Sequence, residues 1–174
     1  VITGEPGIGK STLLRHALHE VRDELATQVI ALRGAETEAE LDYGLVDQLL
    51  RAVGWNPVEG RMAASAISPP EVGARLLQAT DALDADRLLV VAVDDAHLVD
   101  DLSLQALTFV ARRAAGDRRA LVLACRPVGL RRLPAGLLRI AADTCGTIAL
   151  GGLDEAELAE LARVAYGRPV PSDA

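Results

Sequence analysis

Lysine is all but missing from this sequence. Lys10 is the single one, and every other basic residue is arginine. A chain with one lysine cannot supply both a phosphate-binding lysine and the lysine of the guanine-reading Asn-Lys-x-Asp motif. Aromatic residues make up only 2% of the 174 positions, so the core must be built from Leu, Val, Ile and Ala. Cysteine is limited to Cys125 and Cys145, with neither metal-ligand spacing nor a disulfide-rich context. Reduced, partly buried thiols in a cytoplasmic protein are the expectation. No apolar run is long enough to cross a membrane, and no signal peptide is visible. Positive charge is in deficit as well: the formal net charge of −7 argues against non-specific nucleic-acid binding by the domain as a whole. Methionine occurs once, as Met62, and Val1-Ile2 reads as the tail of a strand already under way. The sequence therefore reads as an excerpt of a longer protein.

One local exception breaks the acidic balance. Residues 112–139 hold eight arginines against Asp117 alone. Such a stretch is read as a solvated rim flanking a strand, with a surface for a partner, another subunit or a polyanion as the alternative.

The lone lysine sits in Gly4-Glu5-Pro6-Gly7-Ile8-Gly9-Lys10-Ser11-Thr12, which fits the phosphate-loop pattern G-x-x-x-x-G-K-[ST]. Glycines let successive backbone N–H groups converge on phosphate oxygens, and the following helix presents its positive end. A compact, mobile ammonium reaches the β- and γ-phosphates better than a broad guanidinium fork does. Ser11 is the expected Mg²⁺ ligand of this loop, and Thr12 supports the helix start. The bland alternative is a structural glycine turn, but a strand before the loop and a helix after it favour nucleotide binding.

Along the chain, helices are expected over 10–26, from Thr37 with Leu41, Leu45, Leu49 and Val53 on one face, from Ser68-Pro69-Pro70-Glu71, over 103–115, over 134–142, and from Asp154-x-x-Glu157 to about Tyr166. Strands are expected at 28–33, 88–93, 120–125 and 147–150, and 54–67 reads as a loop or irregular helix. Alternating strands and helices imply an α/β fold with a parallel sheet covered on both faces.

The continuously apolar run Leu88–Val93 ends in Asp94-Asp95. A carboxylate at the carboxyl end of a buried strand lies where open α/β sheets bind ligands. Asp94 is the candidate to hold Mg²⁺ through water, and Asp95 the candidate to orient the attacking water. A solvated turn is the alternative. Arg126 leaves the next strand on the same edge and is a candidate γ-phosphate sensor, or else an ordinary surface arginine before a proline. His97 orients Asp95 or a water, or is a loop or core histidine. His16 and His19 lie one helical turn apart but lack a third ligand, so a solvated helix face is the preferred reading.

Taken together, Gly4–Thr12, Val93-Asp94-Asp95-Ala96-His97-Leu98-Val99-Asp100 and Leu123-Ala124-Cys125-Arg126-Pro127 resemble the signal-transducing ATPases with numerous domains (the STAND class), in particular the large ATP-binding regulators of the LuxR type. Residues 33–41 and 44–50 look like that family's region after the second strand, and Gly152–Leu158 like its entry into a helical domain. Leu98 stands where members often carry Trp. The resemblance implies an AAA ATPase-like, three-layer phosphate-loop NTPase sandwich with a five-stranded parallel sheet in the order 5-1-4-3-2. It implies an NTPase domain over 1–152 and the start of the next domain over 153–174. It further implies a slow ATP hydrolase acting as a switch, with ATP or ADP and Mg²⁺ as cofactors and a homo-oligomer in the ATP state. DNA would be bound only through a C-terminal module absent from this sequence.

Other functions are weighed against this one. A small-molecule kinase shares the glycine loop, but the Asp-Asp strand end favours water as the acceptor. An AAA-type ATPase that loads or remodels DNA or protein partners would hydrolyse faster and carry a polar sensor in place of Arg126. A module that holds nucleotide as structural glue would release no phosphate.

Overall fold

The computed structural model describes residues 1–24, 26–55, 67–81, 83, 87–114, 118–144 and 146–166. Most of the expected 54–67 loop, the helix end at Ala115, Asp117 and Cys145 lie outside the described residues.

Five strands form one parallel sheet: β1 (Ile2–Gly4), β2 (Thr27–Arg33), β3 (Leu88–Asp94), β4 (Arg119–Cys125) and β5 (Ile148–Leu150). Their order is β2-β3-β4-β1-β5, the expected 5-1-4-3-2 read from the other edge. Because every pair is parallel, all five carboxyl ends share one edge of the sheet. Leu89–Val93 of β3 are buried throughout, as an apolar run flanked by strands on both sides requires.

Side chains alternate across the sheet and build two cores. Helix α1 (Lys10–Glu24) covers one face, where Leu14 packs with Ile2, Ala92 and Ala124. The other face carries the larger core. There α2 (Gly44–Ala52), α3 (Pro69–Asp81), α4 (Asp101–Arg113) and α5 (Ala135–Thr144) pack Leu49, Leu76, Leu107 and Leu137 over Leu89, Val91, Val93, Leu123 and Cys125. The last described helix, α6 (Glu155–Tyr166), leaves Leu158, Leu161 and Val164 exposed.

Two of the expected helix starts carry side-chain caps. Glu71 Oε2 accepts from the Ser68 backbone N–H and hydroxyl, which lowers the Glu71 pKa. Asp154 and Glu157 exchange side chain-to-backbone bonds at 2.8 Å each way.

The Thr37 helix start is a correction. Residues Glu36–Glu38 form only a short 3-10 turn, α2 begins at Gly44, and Leu41 is exposed while Leu45 and Leu49 are buried. The acceptors that set this boundary come from elsewhere. The buried Asp100 carboxylate takes the N–H groups of Tyr43 (3.0 Å) and Leu45 (3.4 Å), and Ser103 Oγ takes that of Val46 (3.2 Å). The same carboxylate caps α4 by accepting from Ser103 N at 2.7 Å, so that helix opens at Asp101 rather than Ser103.

Of the eight arginines in the arginine-rich stretch, Arg112, Arg118, Arg126, Arg131 and Arg139 are exposed, and three others make the contacts that follow. Arg113 stacks over Phe109, Arg119 pairs with Asp81, and Arg132 lies 3.7 Å from Asp101.

Candidate functional site

The loop between β1 and α1 turns through Gly7 (φ 80°) and Gly9 (φ 102°), both in the left-handed region that glycine tolerates. A methyl group added at either position would meet nothing within 4 Å, so open space lies beside the backbone there. Gly4 is needed for a different reason: its Cα sits against Ile8 and the Leu150 backbone, leaving no room for a side chain. Lys10 is buried, and its Nζ donates to the carbonyls of Gly4 (2.8 Å) and Glu5 (2.9 Å). An ammonium has three donors, so one remains for an oxygen outside the loop. Glu5, Pro6 and Thr12 are exposed, and Ile8 and Ser11 are partly exposed. This geometry fits a polyphosphate cradled by the loop backbone, with Lys10 at its side.

At the end of β3, Asp94 Oδ1 accepts from the Asp95 backbone N–H at 3.0 Å, and both carboxylates are partly exposed. Asp95 adopts a left-handed conformation (φ 49°, ψ 41°). Its Oδ2 accepts two bonds from Arg33, from Nε at 3.0 Å and Nη2 at 2.8 Å. The bond to Asp95 raises the Arg33 pKa further. Arg33 ends β2 and lies in register with Asp94, and the next residue, Gly34, donates to the Asp94 carbonyl at 2.9 Å. The Arg33 pairing is absent from the sequence reading. The signal was there: once β2 and β3 are neighbours in parallel register, their last polar residues must meet.

Arg126 follows β4 directly and is exposed, at the head of a 3-10 turn spanning Pro127–Arg132. His97 lies in the Ala96–Leu98 turn after the acid pair, buried at 8% exposure, and its Nδ1 has no hydrogen-bond partner among the described residues. A buried polar atom left unpaired costs about 1–3 kcal/mol. Burial lowers the His97 pKa; Asp95 opposes that shift, while Arg126, Lys10 and Arg132 add to it. Gly129 lies against the His97 ring, and a methyl group there would sit 2.9 Å from its Cγ.

His16 and His19 are exposed on α1, and no cluster of three or more metal-ligating side chains occurs among the described residues. No helix among them is long and apolar enough to cross a membrane. Cys125 is a free, fully buried thiol, more enclosed than the partly buried state expected.

The sequence profile of the AAA ATPase domain family matches residues 1–123. No curated protein matches. Among solved structures, Cdc6p from Pyrobaculum aerophilum is 18% identical with a TM-score of 0.67, over 92% of this chain and 40% of its own. The Aeropyrum pernix ORC1 protein in complex with DNA is 17% identical with a TM-score of 0.60, over 98% and 44%. The Aeropyrum pernix ORC2 protein, in ADPNP–ADP complexes, is 17% identical with a TM-score of 0.61, over 94% and 44%. At this identity the likeness is one of fold, and the chain spans about two-fifths of these proteins' length.

Proposed function

The chain belongs to the AAA ATPase domain family, and from that premise we propose that it is the slow, switch-type Mg-ATP hydrolase domain of a signal-responsive transcriptional regulator of the STAND, LuxR-like kind. The observation that carries the reading is Lys10, held in the loop by the Gly4 and Glu5 carbonyls, on the sheet edge where β3 runs into Asp94-Asp95 and β4 into Arg126. The lysine comes from the start of α1, and the acid pair and the arginine from the ends of β3 and β4.

In this reading the Gly4–Thr12 loop holds the phosphates of ATP or ADP. Lys10 turns its remaining donor to a phosphate oxygen, and Ser11 and Asp94 are the residues that would hold Mg²⁺. The bound ion neutralises phosphate charge. Asp95 accepts a hydrogen bond from the attacking water and draws its proton away, and Arg126 bonds the γ-phosphate and registers its loss. Residues 1–152 form the NTPase domain and 153–174 begin the next. The partners are the protein's other domains, a second copy in the ATP state, and DNA through a C-terminal module, all in the cytoplasm.

Lys10→Ala should abolish binding of a fluorescent ATP analogue, and Asp95→Asn should keep binding but lose phosphate release. Undiminished phosphate release by the Asp95→Asn protein would refute the role given to that carboxylate. A second reading, an ATPase that loads or remodels DNA or protein partners, draws on the fold shared with the ORC1 protein that was solved on DNA. Phosphate release that rises manyfold on adding duplex DNA selects that reading; an unchanged slow rate selects the switch.

A further inference from the structure

We propose that His97 is a positioning residue that ties the Asp95 turn to the Arg126 loop, so that the sensing arginine and the water-directing carboxylate move as one unit. The inference rests on the roles given above to Asp95 and Arg126.

The tie is short on both sides. His97 stands two residues after Asp95, in a turn closed by the bond from Leu98 N to the Asp95 carbonyl (2.8 Å). Gly129 stands three residues after Arg126, in a turn closed by the bond from Gly129 N to the Arg126 carbonyl (2.9 Å). Between the two turns there is no slack. A methyl group on Gly129 would overlap His97 Cβ and crowd Cγ, so the backbone of the second turn rests directly on the ring of the first. Gly129 lies outside the left-handed region, so this glycine is required for space and not for backbone conformation. A displacement of the Arg126 loop toward this turn therefore presses on His97, two residues from Asp95.

Packing alone does not call for imidazole at this position. A phenyl ring would fill the same buried space without stranding a polar atom, yet Nδ1 is buried and, among the described residues, unpaired. The proposal assigns that nitrogen to the water that Asp95 directs, so it gains its partner when nucleotide and water are in place. The ring transmits position, and its nitrogen helps hold what is positioned.

The test compares His97→Phe, His97→Asn, Gly129→Ala and Arg126→Ala in the 174-residue chain. Binding is read with a fluorescent ATP analogue, turnover by phosphate release with Mg-ATP, and folding by circular dichroism. His97→Phe should lower kcat about tenfold or more while the dissociation constant stays within about twofold. His97→Asn, which returns a polar atom near the Nδ1 position, should recover at least threefold of that loss. Gly129→Ala should lower kcat with binding retained. The decisive measurement is the double variant Arg126→Ala/His97→Phe. If the two groups act through one tie, its kcat falls no further than the worse single variant; if they act independently, the losses multiply.

Multiplying losses, or a folded His97→Phe protein within twofold of the parent rate, would overturn the proposal. Should His97→Phe fail to fold, His97→Asn with Arg126→Ala carries the same comparison. The Asp95→Asn protein separates this inference from the reading beneath it. If Asp95→Asn is inactive and His97→Phe is fully active, only the tie fails. If Asp95→Asn is fully active, the role of Asp95 fails first.

Discussion

Arg33 and Gly34 are adjacent, and both touch the Asp95 turn, yet their contributions to stability differ in kind. The Arg33 side chain is 72% exposed, so its pair with Asp95 is a surface ion pair. Such pairs contribute about 0–1 kcal/mol, and Arg33→Ala should cost less than about 1 kcal/mol in urea unfolding. Gly34 has no such latitude, because a methyl there would lie 2.5 Å from the Asp95 carbonyl oxygen and 3.2 Å from Leu98 and Val99 atoms. Gly34→Ala should cost about 1–3 kcal/mol, the usual range for overpacking a tight site. Equal losses from the two variants would show that the ion pair and the close approach had been ranked wrongly. At this level the sequence was legible wherever a local pattern carried the chemistry. Lys10 opens α1, and Asp94 and Asp95 stand at the end of β3, where motif and strand context put them. For His97 the sequence leaves a site role and a loop or core position both open, since its burial depends on how closely Gly129 approaches from a turn 32 positions away in the chain.

Asp100 shows why one helix boundary was misread while the others were found nearly in place. The starts of α3 and α6 are capped by residues three positions apart, so their signals are local and visible in the sequence. The start of α2 is capped by a carboxylate 57 positions away, and no local pattern reports that. Asp100 serves two helices at once, accepting from Tyr43, Leu45 and Ser103 while itself buried. Removing it strands several N–H groups, each worth about 1–3 kcal/mol when left buried and unpaired. Asp100→Ala should therefore destabilise the protein by about 3 kcal/mol or more. Asp100→Asn, which keeps a carbonyl acceptor, should recover a good part of that. Urea titrations of the two variants check both the size and the order of the losses. The strands were easier to read, because a parallel strand buried on both faces is a continuous apolar run, and β3 is one.

For the folded chain taken together, pH acts through the buried imidazole. The His97 pKa is lowered by burial, with Asp95 working against the shift and Arg126, Lys10 and Arg132 working with it. An unfolded histidine titrates near 6.5. The unfolded chain thus takes up a proton that the folded protein resists, and stability should fall as pH drops below about 6.5 toward the folded value. His97→Phe should flatten this part of the profile, measured as the difference in unfolding free energy between variant and parent from pH 7 to pH 5. A difference that does not change with pH would show that the ring is equally protonated in both states.

The place of β4 between β1 and β3 has one more consequence, and it concerns time. Cys125 ends β4 in register with Thr3, its thiol is wholly buried, and burial raises its pKa. A thiol reagent can reach it only during moments when the helical cover over this face or the seam between β4 and β1 parts. In a Cys145→Ser background, the labelling rate of Cys125 becomes a clock for that parting. If the parted form cannot hold nucleotide, Mg-ATP at a hundred times its dissociation constant should slow the clock about a hundredfold. A rate unchanged by nucleotide would mean that this parting leaves the phosphate loop undisturbed. One buried sulfur would thus report how often the floor of the nucleotide site gives way, without a label ever entering the site itself.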